Sequence, residues 1–286
     1  DNFSFFVSFI AAILFITHPI HTEVVANIKG QDEIIALLGS LTALYFSLKG
    51  YYERNKVFTS IGVVAFFLAL LAKENPITFL AVLPLTYFVF TKAKTNEIVK
   101  QSVPFLLVGI VFIIIRQNIL GGGFGSENME LMNNPFIKIE NGEYIAYSSG
   151  EKIATIFYTL GQYVKLLLFP HPLTHDYYPY HIETMTFGNW RVILSFLIYA
   201  GMGIYTLIGL LKKDIVSFGI AFYIITLSIV SNIVFPVGTN MAERFLFMPS
   251  VGFCLVIGVL VYRLAKYLSG KNKLNSSSFM IPIAFT

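Results

Sequence analysis

Two histidines and a carboxylate stand close together at the end of the first apolar run of the chain. His18 and His21 are three residues apart, and Glu23 follows two residues later. Such groups are costly inside hydrocarbon, so their position where a membrane helix leaves the lipid indicates a site. They are also ligand types for Zn²⁺ or another divalent cation, but no HExxH-like spacing supports a metal. Contact with a substrate or its phosphate, and a role as cap and interfacial anchor, are the other two interpretations.

Charged residues also mark the ends of other apolar runs. Lys73 and Glu74 fill a very short turn between two runs, and Arg116 lies four residues before the end of a third. Long cationic side chains can snorkel to the interface from such positions, and they can also reach a phosphate at headgroup depth. Both interpretations stay open for these residues.

Two motifs in the second half of the chain complete the candidate site. His175, Asp176 and Tyr177 form a polar corner between prolines, which can hold a hydroxylated or anionic ligand or serve only as structure. Glu243 and Arg244 precede a late apolar run. They can be a simple ion pair, or they can present a guanidinium to a lipid phosphate in bidentate geometry.

The composition identifies an integral membrane protein. The chain is 56% hydrophobic and only 13% charged, whereas soluble domains carry about 25% charged residues. Its net charge of +4 does not indicate nucleic-acid binding, because the lysines lie in short loops between apolar runs. The single cysteine excludes an internal disulfide framework.

Eight apolar stretches approach the roughly 20 residues that a membrane span needs. They are 3–20, 33–49, 57–72, 76–91, 102–120, 191–211, 215–235 and 245–265, and a truncated stretch starts near 277. The predicted fold class is therefore an all-α polytopic membrane protein. Cytoplasmic loops carry an excess of Lys and Arg. That rule makes the loops at 49–56, 92–100, 212–213 and 263–273 cytoplasmic and places every candidate site residue on the outer side.

Residues 152–169 have the pattern of an amphipathic helix that lies in the outer interface. One face is apolar and consists of Ile153, Ile156, Phe157, Leu160, Val164, Leu167 and Leu168. The other is assigned to Lys152, Thr155, Thr159, Gln162 and Lys165. The alternative is an ordinary span, which would invert the later topology and place Lys212 and Lys213 outside.

The pattern of apolar stretches divides the chain into three parts. Residues 1–120 hold five predicted spans, and residues 121–190 form an external loop with the interfacial helix. Residues 191–286 hold three spans and the truncated one. The glycine-rich start of the external loop is not a phosphate loop, because no Gly-Lys-Ser/Thr follows it.

Four motifs in this order resemble one family. They are HPIHTEVV at 18–25, AKE at 72–74, LLFP at 167–170 with HDY at 175–177, and MAERFLFMPSVGFC at 241–254. The chain resembles the membrane portion of the transmembrane and tetratricopeptide-repeat O-mannosyltransferases, and we expect a bacterial relative. The resemblance covers residue 1 to about residue 270, and segment 116–185 is similar to the family's characteristic domain of formerly unknown function.

The resemblance implies a C-type glycosyltransferase fold with its active site on the periplasmic or lumenal face. It implies transfer of mannose, or a similar sugar, from a polyprenyl-phosphate donor to a protein hydroxyl. The implied partners are thus membrane lipid, this donor and a protein acceptor. His18, His21, Glu23, Lys73, Glu74, Arg116, His175, Asp176, Tyr177, Glu243 and Arg244 become candidate substrate-binding residues. Beyond the donor no cofactor is identified; a divalent cation stays open as a possibility, although no ligand spacing supports one.

The family's general base is an acidic motif in the first external loop, and no such motif precedes residue 3. We therefore expect a fragment whose base and tetratricopeptide repeats lie outside this chain, in a bacterial inner membrane rather than an endoplasmic-reticulum membrane. Two other functions stay open. A transporter or flippase of a lipid-linked sugar predicts paired broken helices and mid-membrane charges. A membrane scaffold predicts that the outer polar residues are dispensable.

Overall fold

The computed structural model describes residues 2–120, 134–140, 142–175, 177, 181–234 and 236–268. Within these residues, ten α-helices and one two-stranded hairpin form. The helices are α1 Asn2–Thr17, α2 Thr22–Ala26, α3 Gln31–Tyr52, α4 Lys56–Ala72, α5 Phe79–Phe90, α6 Thr95–Leu120, α7 Ser149–Leu168, α8 Trp190–Leu211, α9 Ile215–Ser228 and α10 Ser250–Leu268. The antiparallel strands are β1 Ile137–Glu140 and β2 Glu143–Ala146. The hairpin lies inside the segment that the sequence predicts only as an external loop.

The all-α membrane architecture is confirmed, whereas eight spans stay a prediction. Among the described residues, four helices are long and apolar enough to cross a bilayer: Ile28–Tyr52, Thr95–Ile119, Trp190–Leu211 and Ser250–Leu268. A fifth span results if Phe3–Thr17 and Pro19–Ala26, which meet at 51°, count as one. Three apolar helices are shorter: Lys56–Ala72, Asn75–Phe90 and Ile215–Ser228. The truncated stretch near 277 lies outside the described residues.

Two of the predicted stretches continue three residues or more past the end of the helix that forms. The first helix ends at Thr17 because His18 is extended, at φ −70° and ψ 121°, as is usual for a residue before proline. The stretch 215–235 ends as a helix at Ser228. Beyond it Asn232 adopts a positive φ of 61° and its side chain bonds the backbone of Val237 and Thr239. An asparagine amide that bonds nearby backbone competes with helix in this way.

Helix α7 begins three residues earlier than the predicted stretch 152–169, and its buried face differs from the prediction. Ser148 and Glu151 form a capping box that starts the helix. Thr155 and Thr159, which were assigned to the polar face, are buried, whereas Leu168 is 67% exposed. The reason is that α7 packs against α8 and the loop at Met185, where the Thr155 hydroxyl accepts a hydrogen bond from the Met185 N–H. Helix α7 is not among the helices long and apolar enough to span.

We expect the contact between the hairpin and α7 to weaken at low pH. Lys138 Nζ lies 2.9 Å from Glu151 Oε1, and the Ser148 N–H and hydroxyl each donate to Glu151 Oε2 at 2.8 Å. These contacts, the lysine first, lower the pKa of Glu151 from 4.5 to about 2. A lowered folded-state pKa contributes stability that is complete above pH 4.5 and is lost as the pH falls toward 2.

Hydrogen exchange at residues 137–152, corrected for intrinsic rates, measures this loss. Glu151→Gln should remove the pH dependence, and Glu143→Gln, at an exposed hairpin position, should retain it. Equal pH dependence in wild type and Glu151→Gln would show that this carboxylate does not anchor the hairpin.

Helix packing sorts the charged loops into two ends. The polar end carries His18–Glu23, Asp32–Glu33, Lys73–Asn75, Arg116 and Glu243–Arg244. The basic end carries residues 49–56, 92–100 and 212–213, which include the last turn of α3 and the start of α6. Helix α10 links the two ends: Ser250 at its start bonds His21, and Arg263 near its finish pairs with Asp214. Helices α9 and α10 approach each other closely, because the Gly219 carbonyl oxygen leaves no room for a Cβ on Gly252.

Candidate functional site

An ion pair between Glu23 and Arg244 joins two distant motifs of the chain. Glu23 Oε1 lies 2.9 Å from Arg244 Nη1, and Glu23 Oε2 accepts the Arg244 backbone N–H at 2.8 Å. The break at His18 makes this possible, because the following turn and α2 fold back onto the 3₁₀ turn Glu243–Leu246. The Glu23 side chain is only 5% exposed and the Arg244 side chain 35%. In the described part of the chain the other guanidinium nitrogens of Arg244 make no hydrogen bond, so they are available to an anion.

The two histidines beside this pair are bound to protein groups. His18 Nδ1 accepts the Ile20 N–H, and Nε2 donates to the Leu167 carbonyl at 3.0 Å, which ties the motif to α7. His21 is buried, and its Nδ1 donates to the Phe15 carbonyl at 2.7 Å. Its Nε2 lies 2.9 Å from the Ser250 hydroxyl. Both rings therefore hold the wall of the site in place.

Glu243 is a buried carboxylate that fixes the polar corner. Its Oε1 accepts the Thr174 N–H at 2.6 Å and the Tyr177 hydroxyl at 3.1 Å. Burial raises the pKa of Glu243, the two hydrogen bonds oppose that rise, and the charge of Glu23 adds to it. Burial and then the Glu243 charge raise the pKa of Tyr177, so this phenol stays protonated as a donor. Among the described residues, Glu243 Oε2 has no hydrogen-bond partner.

A cavity of about 570 Å³ lies between these elements. Glu23, His175 and Glu243 line it, together with Thr22, Ala26, Asn27, Ile28, Leu173 and Thr174. His175 is exposed, and no hydrogen bond or ion pair joins its ring to the described residues. Two carboxylates and an imidazole around a space of this size can bind a hydroxyl-rich ligand such as a sugar. Asp176, a predicted site residue, lies outside the described residues.

A second charged cluster surrounds the short turn after α4. Lys73 Nζ lies 3.0 Å from Asp32 Oδ2 and 2.8 Å from Glu33 Oε1, and the Asn75 amide donates to Glu33 Oε2 at 3.1 Å. In the same turn Glu74 accepts Arg116 Nε at 2.6 Å. Lys73 and Arg116, the two cationic candidate residues of this region, are thus both paired with carboxylates. Sequence reasoning missed Asp32 and Glu33, although two acids in the first turn of α3 beside an outer lysine are a usable signal.

The structure brings the predicted site residues together in two groups at the polar end. His18, His21, Glu23, His175, Tyr177, Glu243 and Arg244 form the first, and Lys73, Glu74 and Arg116 belong to the second. Within the described residues, no three His, Cys, Asp or Glu side chains are placed to hold a metal ion together. The assignment of these residues to substrate binding stays a prediction.

Similar proteins give an independent view of the chain. A Caenorhabditis elegans protein named Protein O-mannosyl-transferase F38B6.6 is 28% identical over 99% of this chain. The human proteins named Protein O-mannosyl-transferase TMTC4 and TMTC1 are each 28% identical, over 92% and 96% of the chain. The resemblance indicated by the four motifs is confirmed. These relatives are animal proteins and give no support to a bacterial origin.

The match covers only a part of each relative. The chain spans 39% of the Caenorhabditis elegans protein, 39% of human TMTC4 and 34% of human TMTC1. No protein-family model matches the chain, and no solved structure gives a significant match.

Proposed function

We propose that this chain, a homologue of the protein O-mannosyl-transferases, is the membrane-embedded part of a glycosyltransferase. It transfers mannose, or a similar sugar, from a polyprenyl-phosphate donor to a hydroxyl of a protein. The transfer takes place at the outer or lumenal face of the membrane, at the polar end of the helices. The names of the relatives support the sugar transfer, and the charge distribution of the loops supports the face.

The Glu23–Arg244 pair is the observation that carries this proposal. It joins residues 221 positions apart and orients a partly exposed guanidinium beside a cavity with carboxylate walls. Sugar transfer from a lipid phosphate requires a cation at the departing phosphate and polar groups around the sugar. Arginine suits the first task because its planar fork matches phosphate oxygens. Arg244 is the proposed phosphate ligand, and Glu243 and His175 are the proposed ligands of sugar or acceptor hydroxyls.

The remaining predicted residues take supporting roles in this proposal. His18 and His21 hold the turn that carries Glu23, and Tyr177 orients Glu243. Lys73 and Arg116 approach a donor phosphate only if Asp32, Glu33 and Glu74 release them in part, so we assign them first to stabilising the polar end. None of these residues is assigned as the base that accepts the proton of the acceptor hydroxyl.

An assay of the natural full-length protein in liposomes tests the proposal. Radiolabelled polyprenyl-phosphate mannose and an acceptor protein are supplied, and label on the acceptor is measured. Arg244→Ala should lower transfer by a factor on the order of 10² to 10³, as loss of a group that stabilises transition-state charge does. The matched control is Arg263→Ala, which removes the pair with Asp214 at the basic end and should leave transfer near the wild-type rate.

The same liposomes distinguish the alternatives. Donor movement across the bilayer without a new glycosidic bond would establish a transporter. A transporter predicts broken helices, and the described residues contain one, formed by Phe3–Thr17 and Pro19–Ala26. Full transfer by Arg244→Ala would refute the phosphate assignment. Absence of transfer in wild type, with Arg244→Ala harmless to the cell, would support a scaffold.

A further inference from the structure

A second cavity lies at the basic end, away from the site described above. Its volume is about 1180 Å³, compared with about 570 Å³ for the cavity at the polar end. The loop between α3 and α4 forms one side of its rim, and the loop between α5 and α6 forms the other. The space continues between α4 and α6. None of the motifs used for the proposed transfer reaction contributes to it.

The rim of this cavity carries an excess of positive charge. Four cations line it, Arg54, Lys56, Lys92 and Lys100, against a single acid, Glu97. In the described part of the chain none of the four cations forms an ion pair. Lys213 adds a fifth positive charge next to the rim, because its ammonium donates to the carbonyl of the lining residue Thr91 at 3.0 Å. Such a rim attracts an anionic ligand, which would neutralise the positive charge of the rim.

The inner wall of the cavity is apolar. Val63, Val64, Phe90 and Pro104 line it. Val64 is 58% exposed, and Leu68 and Leu71 continue the same exposed apolar stripe along α4. An anion without a hydrophobic part would leave this wall uncovered. A ligand with a charged head and an apolar tail matches both parts of the cavity.

We propose that this cavity binds an anionic membrane lipid. The phosphate headgroup lies among Arg54, Lys56, Lys92 and Lys100, and the acyl chains run along α4 and α6. Each cation can donate a charge-assisted hydrogen bond to a phosphate oxygen, and burial of the first methylene groups against Val64 and Pro104 adds hydrophobic contact. This lipid is separate from the sugar donor, whose proposed phosphate ligand lies at the other end of the helices.

Native mass spectrometry of the full-length protein in neutral detergent tests the site. Phosphatidic acid, phosphatidylcholine and inorganic phosphate are titrated separately, and bound molecules are counted. We expect one saturable phosphatidic acid on the wild type. In the double variant Lys56→Gln/Lys92→Gln its affinity should fall by a factor on the order of ten, because two charge-assisted contacts are lost.

A matched control separates the cavity from general surface charge. The double variant Lys94→Gln/Lys212→Gln removes two exposed lysines from the same end, neither of which lines the cavity. It should bind phosphatidic acid like the wild type. Equal weakening in both double variants, equal affinity for phosphatidylcholine, or full displacement of the lipid by an equal concentration of inorganic phosphate would each overturn the proposal.

An uncharged substitution tests the cavity without changing the charge of its rim, and a melting temperature checks that the variant folds. Val64→Trp fills the cavity wall from an exposed position while all four cations remain. We expect weaker lipid binding with an unchanged melting temperature in lipid-free detergent. Wild-type lipid binding by Val64→Trp would place the lipid elsewhere and overturn the proposal.

Discussion

Replacement of Glu23 by glutamine should raise the KM for the lipid-linked donor and lower kcat/KM by a factor on the order of 10². The glutamine amide cannot balance the Arg244 charge. It also replaces one of the two carboxylate oxygens, of which Oε1 accepts from Arg244 Nη1 at 2.9 Å and Oε2 accepts from the Arg244 backbone N–H at 2.8 Å. A displacement of the Arg244 guanidinium by about 1 Å is enough for an effect of this size. Glu23 is in this sense a positioning residue. Steady-state kinetics with labelled donor and acceptor peptide measure the change.

A comparison of the KM for the donor with the KM for the acceptor distinguishes a positioning role from structural damage. The KM for the acceptor should stay within about twofold, and Glu23→Asp, which keeps the charge, should recover part of the donor affinity. The matched control is Asp214→Asn, which weakens the Asp214–Arg263 pair at the basic end. An unchanged donor KM in Glu23→Gln would contradict the phosphate-binding role of Arg244.

Replacement of Lys73 by methionine should lower the free energy of unfolding by about 3 to 5 kcal/mol, because it leaves a buried carboxylate without its cation. The Glu33 side chain is 1% exposed and lies 2.8 Å from the lysine ammonium. The Asn75 amide alone cannot neutralise this charge. Reversible denaturation in mixed detergent micelles, followed by circular dichroism, measures the change.

A second substitution shows whether the loss comes from Glu33. In Lys73→Met/Glu33→Gln no buried charge remains unpaired, and we expect most of the stability to return. Lys29→Met, an exposed lysine near the same end, is the control. A single variant as stable as Lys29→Met would contradict the structural assignment. A stable double variant without transferase activity would instead make Lys73 a donor ligand, as the sequence first predicted.

Much of the fold is readable from the sequence because it depends on local hydrophobicity. Each described apolar stretch longer than about 16 residues forms helix over most of its length, since a lipid environment forces backbone groups to bond internally. The helix ends were less predictable. His18 and Asn232 end their helices through backbone and side-chain bonding that apolar patterning does not register. The hairpin Ile137–Ala146 was missed because its four-residue strands carry little periodic signal.

The candidate site was predictable in its residue types and much less in its pairings. Polar groups at the ends of apolar runs are conspicuous, and the structure places the described ones at one end of the bundle. One interpretation of the sequence is an ion pair between Glu243 and Arg244, and the structure shows that this interpretation is wrong. Tertiary packing selects Glu23, and it directs Glu243 to Thr174 and Tyr177.

The sequence by itself determined that this is a helical membrane protein, where its polar groups leave the apolar runs, and which enzymes it resembles. Those conclusions rest on residue types and short spacings, which act locally. Only the tertiary structure decided that Arg244 is held by a residue 221 positions away, that Lys73 binds two carboxylates, and that the threonines of α7 are buried. Each of these depends on which helix ends meet. That choice is made by close packing of whole helices, as at Gly219 and Gly252, and no local pattern encodes it.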